Sequence, residues 1–200
     1  MRLVALMVFC VGVTNAVART VTVLVDFEKP HSAVSMTALR QELTDLLGPA
    51  GVAVDLMVKS EMPSSPEFSE LAVFHMKGSC SMNAKPATAS ELSDEPGPLA
   101  MAYSSDGQIL HFGAVECDRV RRCVQHVLLS RDLVKDQAAF GVALGVVMAH
   151  ELYHMMAGAK AHTKNGLTKE SLSPRELVDG RLALPGAVRE ALRRGGLPPS

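Results

Sequence analysis

Across residues 20–27 apolar and polar side chains alternate, with Val21, Val23 and Val25 on one face, the period of a half-buried strand. The spacing then changes. Between residues 32 and 47, Met36, Leu39, Leu43, Leu46 and Leu47 recur every three or four positions, with serines at the start and Gly48-Pro49 as a stop, which predicts an amphipathic helix. Residues 52–58 return to a strand pattern, so the first three elements form a strand-helix-strand unit with parallel strands and a right-handed crossover. Residues 71–76 supply another strand. Residues 78–98, rich in Ser, Pro, Ala and acidic side chains, have no period and read as a long surface loop. Residues 99–103 and 109–115 flank Ser104-Ser105-Asp106-Gly107, which is turn chemistry, so they form an antiparallel hairpin whose first strand is expected at the sheet edge. Beyond Asp118 the pattern is helical, first to about Leu129 and then from about Asp136 to Ala157, with Phe140, Leu144, Val147 and Leu152 as apolar contacts. The fold class is therefore α+β or α/β, a mixed, mostly parallel sheet of about five strands with one long helix. No internal repeat or second domain is visible.

Residues 1–18 stand outside this pattern. Arg2, an apolar run over residues 3–13 and the small-residue sequence Ala16-Val17-Ala18 read as a cleaved export signal. The run is shorter than the roughly 20 apolar residues a spanning helix needs. Phe9 directly before Cys10 does not fit the small-residue pattern ahead of a lipidated cysteine. The expected organisation is a signal peptide over 1–18 and a single catalytic domain over 19–200, secreted or periplasmic, with no membrane anchor after cleavage.

Composition narrows the partners. A chain of 200 residues, 48% hydrophobic and 20% charged, can bury one good core. A net charge of -1 without a long basic run offers no electrostatic footprint for nucleic acid or an anionic membrane. Export would leave Cys80, Cys117 and Cys123 in an oxidising compartment, which predicts one disulfide and one thiol left over. On one helix Cys117 and Cys123 would stand about 9 Å apart along the axis, beyond disulfide reach, so Cys80 pairs with one or the other. No cysteine pair has the close spacing of a thiolate zinc site.

The chemistry lies on the long helix, in His150-Glu151-Leu152-Tyr153-His154. Histidines four residues apart stack on one helical face, where both imidazoles can reach one Zn²⁺ ion. Glu151 stands about 100° around the helix, placed as general base toward a zinc-activated water. The neighbours Val146, Val147, Met148, Ala149, Leu152, Met155 and Met156 are apolar, so these polar groups need partners. A catalytic zinc takes three protein ligands and keeps a fourth position open. His162 is the nearest third ligand, because Gly158 can adopt positive φ and turn the chain back. Glu170 or Glu176 on a later segment would serve instead if the site resembles that of the thermolysin-like peptidases. Ser173-Pro174-Arg175-Glu176 also reads as a helix start, which accounts for Glu176 without a metal. His31, His75, His111 and His126 read as surface or satisfied core residues.

The order of elements, followed by His-Glu-x-x-His, a glycine and a further histidine, resembles the metzincin peptidases. The resemblance spans residues 20–162. It implies a three-layer arrangement around the active-site helix, zinc held by His150, His154 and His162, and hydrolysis of peptide or protein substrates lying along the edge strand 99–103. Two features depart from that pattern. Gly158 and His162 follow His154 by four and eight residues rather than three and six, and no methionine occurs after Met156, so the methionine turn has no counterpart. An exported zinc-binding protein without turnover is the alternative outside enzyme chemistry; the retained Glu151 argues against it, because a structural zinc site needs no base.

Overall fold

The computed structural model describes residues 19–83, 97–128 and 132–194. The export signal read in residues 1–18, and residues 84–96 of the expected loop, lie outside them. Strand β1 (Arg19–Phe27) leads into α1 (Ala33–Leu47), whose first turn is closed by the Ser32 side chain accepting from the Ser35 N–H. Strands β2 (Val52–Val58) and β3 (Leu71–Lys77) both pair with β1 in parallel, and β5 (Gln108–Glu116) continues the sheet in parallel on β3. The hairpin partner β4 (Ala100–Ser105) closes the order β2-β1-β3-β5-β4 as an antiparallel edge, joined to β5 through Asp106 and Gly107, both at positive φ. This is the mixed five-stranded sheet that the pattern predicts.

Helix α2 (Cys117–Val124) ends earlier than the apolar pattern suggested, because Val127 and Leu128 both donate back to the Val124 carbonyl in a closing turn. Helix α3 (Leu133–Ala157) begins earlier than expected. Its cap is Asp132, whose carboxylate accepts from the N–H groups of Val134 and Lys135, and its first residues, Leu133 and Val134, are exposed and so broke the hydrophobic period. Alone among the described helices, α3 is long and apolar enough to cross a membrane, but most of it is buried inside the fold. Short helices α4 (Pro174–Val178) and α5 (Gly186–Arg193) pack in turn on α3; the sequence pattern anticipated only the first. Cys80 and Cys117 form a disulfide between the segment after β3 and the start of α2, and Cys123 remains a free thiol.

The helix face of the sheet carries Val21, Val23, Val25, Leu56, Phe74, Met76 and Val115, all buried. Against it α1 and α3 cross at very short range. A side chain at Gly141 would meet the Ala38 Cβ at 2.8 Å and the Ser35 carbonyl oxygen closer still; one at Gly145 would meet the Glu42 Cβ at 2.7 Å. Only glycine at these two positions lets the backbones approach so closely. The crossing also buries the Glu42 carboxylate, whose Oε1 has no hydrogen-bond partner; burial, with the nearby Asp45 charge, pushes its pKa above the usual carboxylate value.

Two outcomes follow from this contact. Alanine at Gly141 gains up to about 1 kcal/mol of helix propensity but overpacks the crossing by about 1–3 kcal/mol. Gly141→Ala is therefore expected to lower Tm by a few degrees, and a melt at or above wild type would show that the helices can part to admit a methyl. For Glu42 the folded chain binds the proton more tightly than the unfolded chain, so the burial penalty is absent at pH below the ordinary carboxylate value and grows as pH rises through the folded pKa. Glu42→Gln should accordingly stabilise the protein by about 1 kcal/mol at neutral pH, with the gain vanishing in acid. A gain that persists unchanged in acid would remove the charge from the explanation.

Candidate metal centre

Helix α3 aims its two histidines into a cleft between β4 and the segment that follows the helix. Gly158 caps α3 in the left-handed conformation (φ 59°), and the chain then doubles back. Tyr153, almost wholly buried, donates its hydroxyl to the Ala161 carbonyl at 3.2 Å and so pins the returning segment. Farther on, Thr163 and Thr168 bond through both backbone and side chains, and buried Leu167 is tied to the Ala183 carbonyl through its N–H. These contacts bring His162 back over the helix.

The result is a convergence of three imidazoles. Nε2 of His154 lies 3.0 Å from Nε2 of His150 and 3.2 Å from Nε2 of His162. The opposite nitrogens of the two helical rings are fixed: His150 Nδ1 donates to the Leu167 carbonyl at 2.8 Å, and His154 Nδ1 donates to the Ala159 carbonyl at 2.6 Å. A carbonyl oxygen only accepts, so both Nδ1 atoms carry the proton and both Nε2 atoms present lone pairs. Burial holds the pKa of both rings below the usual imidazole value, which keeps them neutral. Two lone pairs facing each other at 3.0 Å repel unless a cation lies between them. Tetrahedral nitrogen ligands about 2.0–2.1 Å from a zinc ion stand about 3.3 Å apart, so the donor set and its spacing fit Zn²⁺.

Glu151 is turned toward the sheet rather than toward the histidines' carbonyl partners. Its Oε2 accepts the backbone N–H of Ala102 on β4 at 2.7 Å, which places the edge strand beside the site. Burial raises its pKa, opposed by the Ala102 hydrogen bond. On either side of Glu151 the cleft widens: one part is lined by Leu99, Val147, Leu172, Leu177 and Cys123, the other by Ser104, Ile109, Lys160 and His162.

The remaining sequence candidates lie apart from the cluster. Glu170 is exposed and borders both parts of the cleft, but is not among the three residues whose ligand atoms converge. Glu176 completes a capping box with Ser173 and pairs with Lys169; these bonds, the Lys169 one first, hold its carboxyl down to about 2. His75, His111 and His126 are exposed, and His31 stacks on Phe27 with ring centroids 4.1 Å apart. Sequence reasoning missed the carbonyls of Leu167 and Ala159 and the amide of Ala102. Backbone groups occur at every residue and leave no compositional signal.

No protein-family profile matches the chain, and no curated protein matches it in sequence. Among solved structures it is similar to the archaemetzincin of Methanopyrus kandleri, with a TM-score of 0.50 and 16% sequence identity, over 89% of this chain and 96% of that one. The likeness is one of fold: a five-stranded, mostly parallel sheet with a long helix against it, as the resemblance to the metzincins implied.

Proposed function

We propose that the protein is a zinc metallopeptidase in which His150, His154 and His162 hold the metal and Glu151 is the general base. The convergence of three Nε2 atoms, two of them fixed as lone-pair donors, carries this reading. The archaemetzincin-like fold supports it.

When bound, zinc supplies Lewis acidity, lowering the pKa of water and polarising the substrate carbonyl. The chain's own residues do the rest. Outward-facing backbone groups of β4 pair with an extended peptide by strand addition and bring its scissile bond over Glu151. Glu151 takes a proton from the attacking water, whose oxygen bonds to the carbonyl carbon; as the C–N bond breaks, the same carboxyl returns that proton to the leaving amine.

Export belongs to the same proposal. It rests on the sequence: the apolar run over residues 3–13 and the small residues Ala16-Val17-Ala18 directly precede Arg19, which pairs with Glu70 in the described fold.

Zinc content and peptide hydrolysis measured on the same preparations test the mechanism. Glu151→Gln should retain zinc and lose about 10²–10⁴-fold in kcat/KM. His162→Ala should weaken zinc binding by more than the roughly 10–100-fold that loss of a supporting hydrogen-bond partner brings, while Glu170→Ala and Glu176→Ala bind as wild type. The reverse ordering would move the third ligand to a glutamate, and full activity in Glu151→Gln would end the general-base assignment. Separately, N-terminal sequencing of secreted protein should begin at Arg19; an intact Met1 in the soluble extracellular fraction would refute cleavage.

A further inference from the structure

The Ala102 amide has an unusual position in the sheet. In the antiparallel pairing of β4 with β5, Leu99 accepts from Glu116 across the ladder, and Ala102 stands opposite Gly113. Backbone groups of an antiparallel strand point alternately to its partner and away from it, so Leu99 and Met101 face β5 while Ala100 and Ala102 face outward. The outward N–H of Ala102 is the one Glu151 accepts. It contributes nothing to the ladder. An edge amide of this kind would ordinarily bond to water or to an added strand.

We infer that the Ala102 amide is a positioning group for Glu151, fixing Oε2 so that Oε1 alone is presented to the cleft. Among the described residues Oε1 accepts no hydrogen bond and is not sealed from solvent, so it is the oxygen available for proton transfer. A glutamate side chain has three rotatable bonds, and an unheld carboxylate would spend most of its time away from the water it must deprotonate. The contact also sets the register of an added strand. With the Ala102 N–H occupied, a peptide pairing with β4 meets only the carbonyl of Ala102 there, and both backbone groups of Ala100. The inference rests on Glu151 being the general base.

Because the amide is outside the ladder, it can be removed without breaking the sheet. Replacing the Ala102 amide by the corresponding ester exchanges N–H for oxygen and leaves the side chain intact. In zinc-loaded protein this change should lower kcat by about tenfold or more, with KM, zinc affinity and Tm close to wild type. Ala102→Pro, which an outward edge position tolerates, should reproduce the kcat loss. A readout independent of turnover is amide hydrogen exchange: the Ala102 N–H should exchange at least about tenfold faster in Glu151→Ala than in wild type. Equal exchange in the two proteins, or an ester variant with wild-type kcat, would overturn the inference. A wild-type protein that protects the Ala102 amide but hydrolyses no peptide in a zinc-dependent way would overturn the peptidase reading instead, and the positioning role with it, leaving only the contact.

Discussion

The close crossing of α1 and α3 at Gly141 and Gly145 decides where everything else on the long helix points. At about 100° per residue, His150 and His154 lie about 180° around α3 from that glycine pair, and Glu151 lies about 80° beyond the histidines' mean direction. Holding the glycine face against α1 therefore turns the histidines away from the helix pair, into the cleft, and sets Glu151 against β4. A methyl at either glycine acts on this rotation as well as on the packing. The core and the site share one helix, so the precision of the site is inherited from the density of the core.

The site itself is assembled from groups of two kinds. Side chains provide the chemistry, while backbone carbonyls and one backbone amide provide the aim. Leu167 and Ala159 settle which nitrogen of each helical imidazole carries its proton, and Ala102 settles which oxygen of Glu151 is engaged. Metal sites commonly depend on such outer partners, because a ring free to flip presents its lone pair only part of the time. Here those partners come from three places: the turn at the end of α3, the loop before α4 and the edge of the sheet. The disulfide between Cys80 and Cys117 fastens the start of α2, the helix that leads toward α3, to the segment after β3.

The spacing of Gly158 and His162 departs from the metzincin pattern, and the geometry shows how the longer interval is accommodated. The extra residues are spent on a turn fastened by the Tyr153 hydroxyl to Ala161 and by the His154 ring to Ala159. Ala159 thus both fixes a histidine tautomer and starts the reversal that returns His162. The buried Leu167 supplies a fixed segment next to the His150 ring.

Much of this was legible in the chain alone. Alternation marked β1, the three-to-four spacing marked α1, and the Asp106-Gly107 turn marked the hairpin, because these signals are local and each element must bury one face. His150, Glu151 and His154 were equally legible, since a single helix brings residues at those spacings to neighbouring faces without help from the rest of the fold. The i,i+4 glycines of α3 were visible too, but their meaning was not, because a glycine's role depends on what lies across from it. The last turn of α2 and the start of α3 escaped the pattern because a closing turn and a cap, not hydrophobicity, set them. Only the tertiary structure decided that Cys80 bonds Cys117 rather than Cys123, that His162 rather than Glu170 or Glu176 joins the helical pair, and that Ala102 meets Glu151. Each is a meeting of segments distant in sequence or joined by an irregular loop, and such meetings depend on how the packed core orients its parts, which no local period encodes.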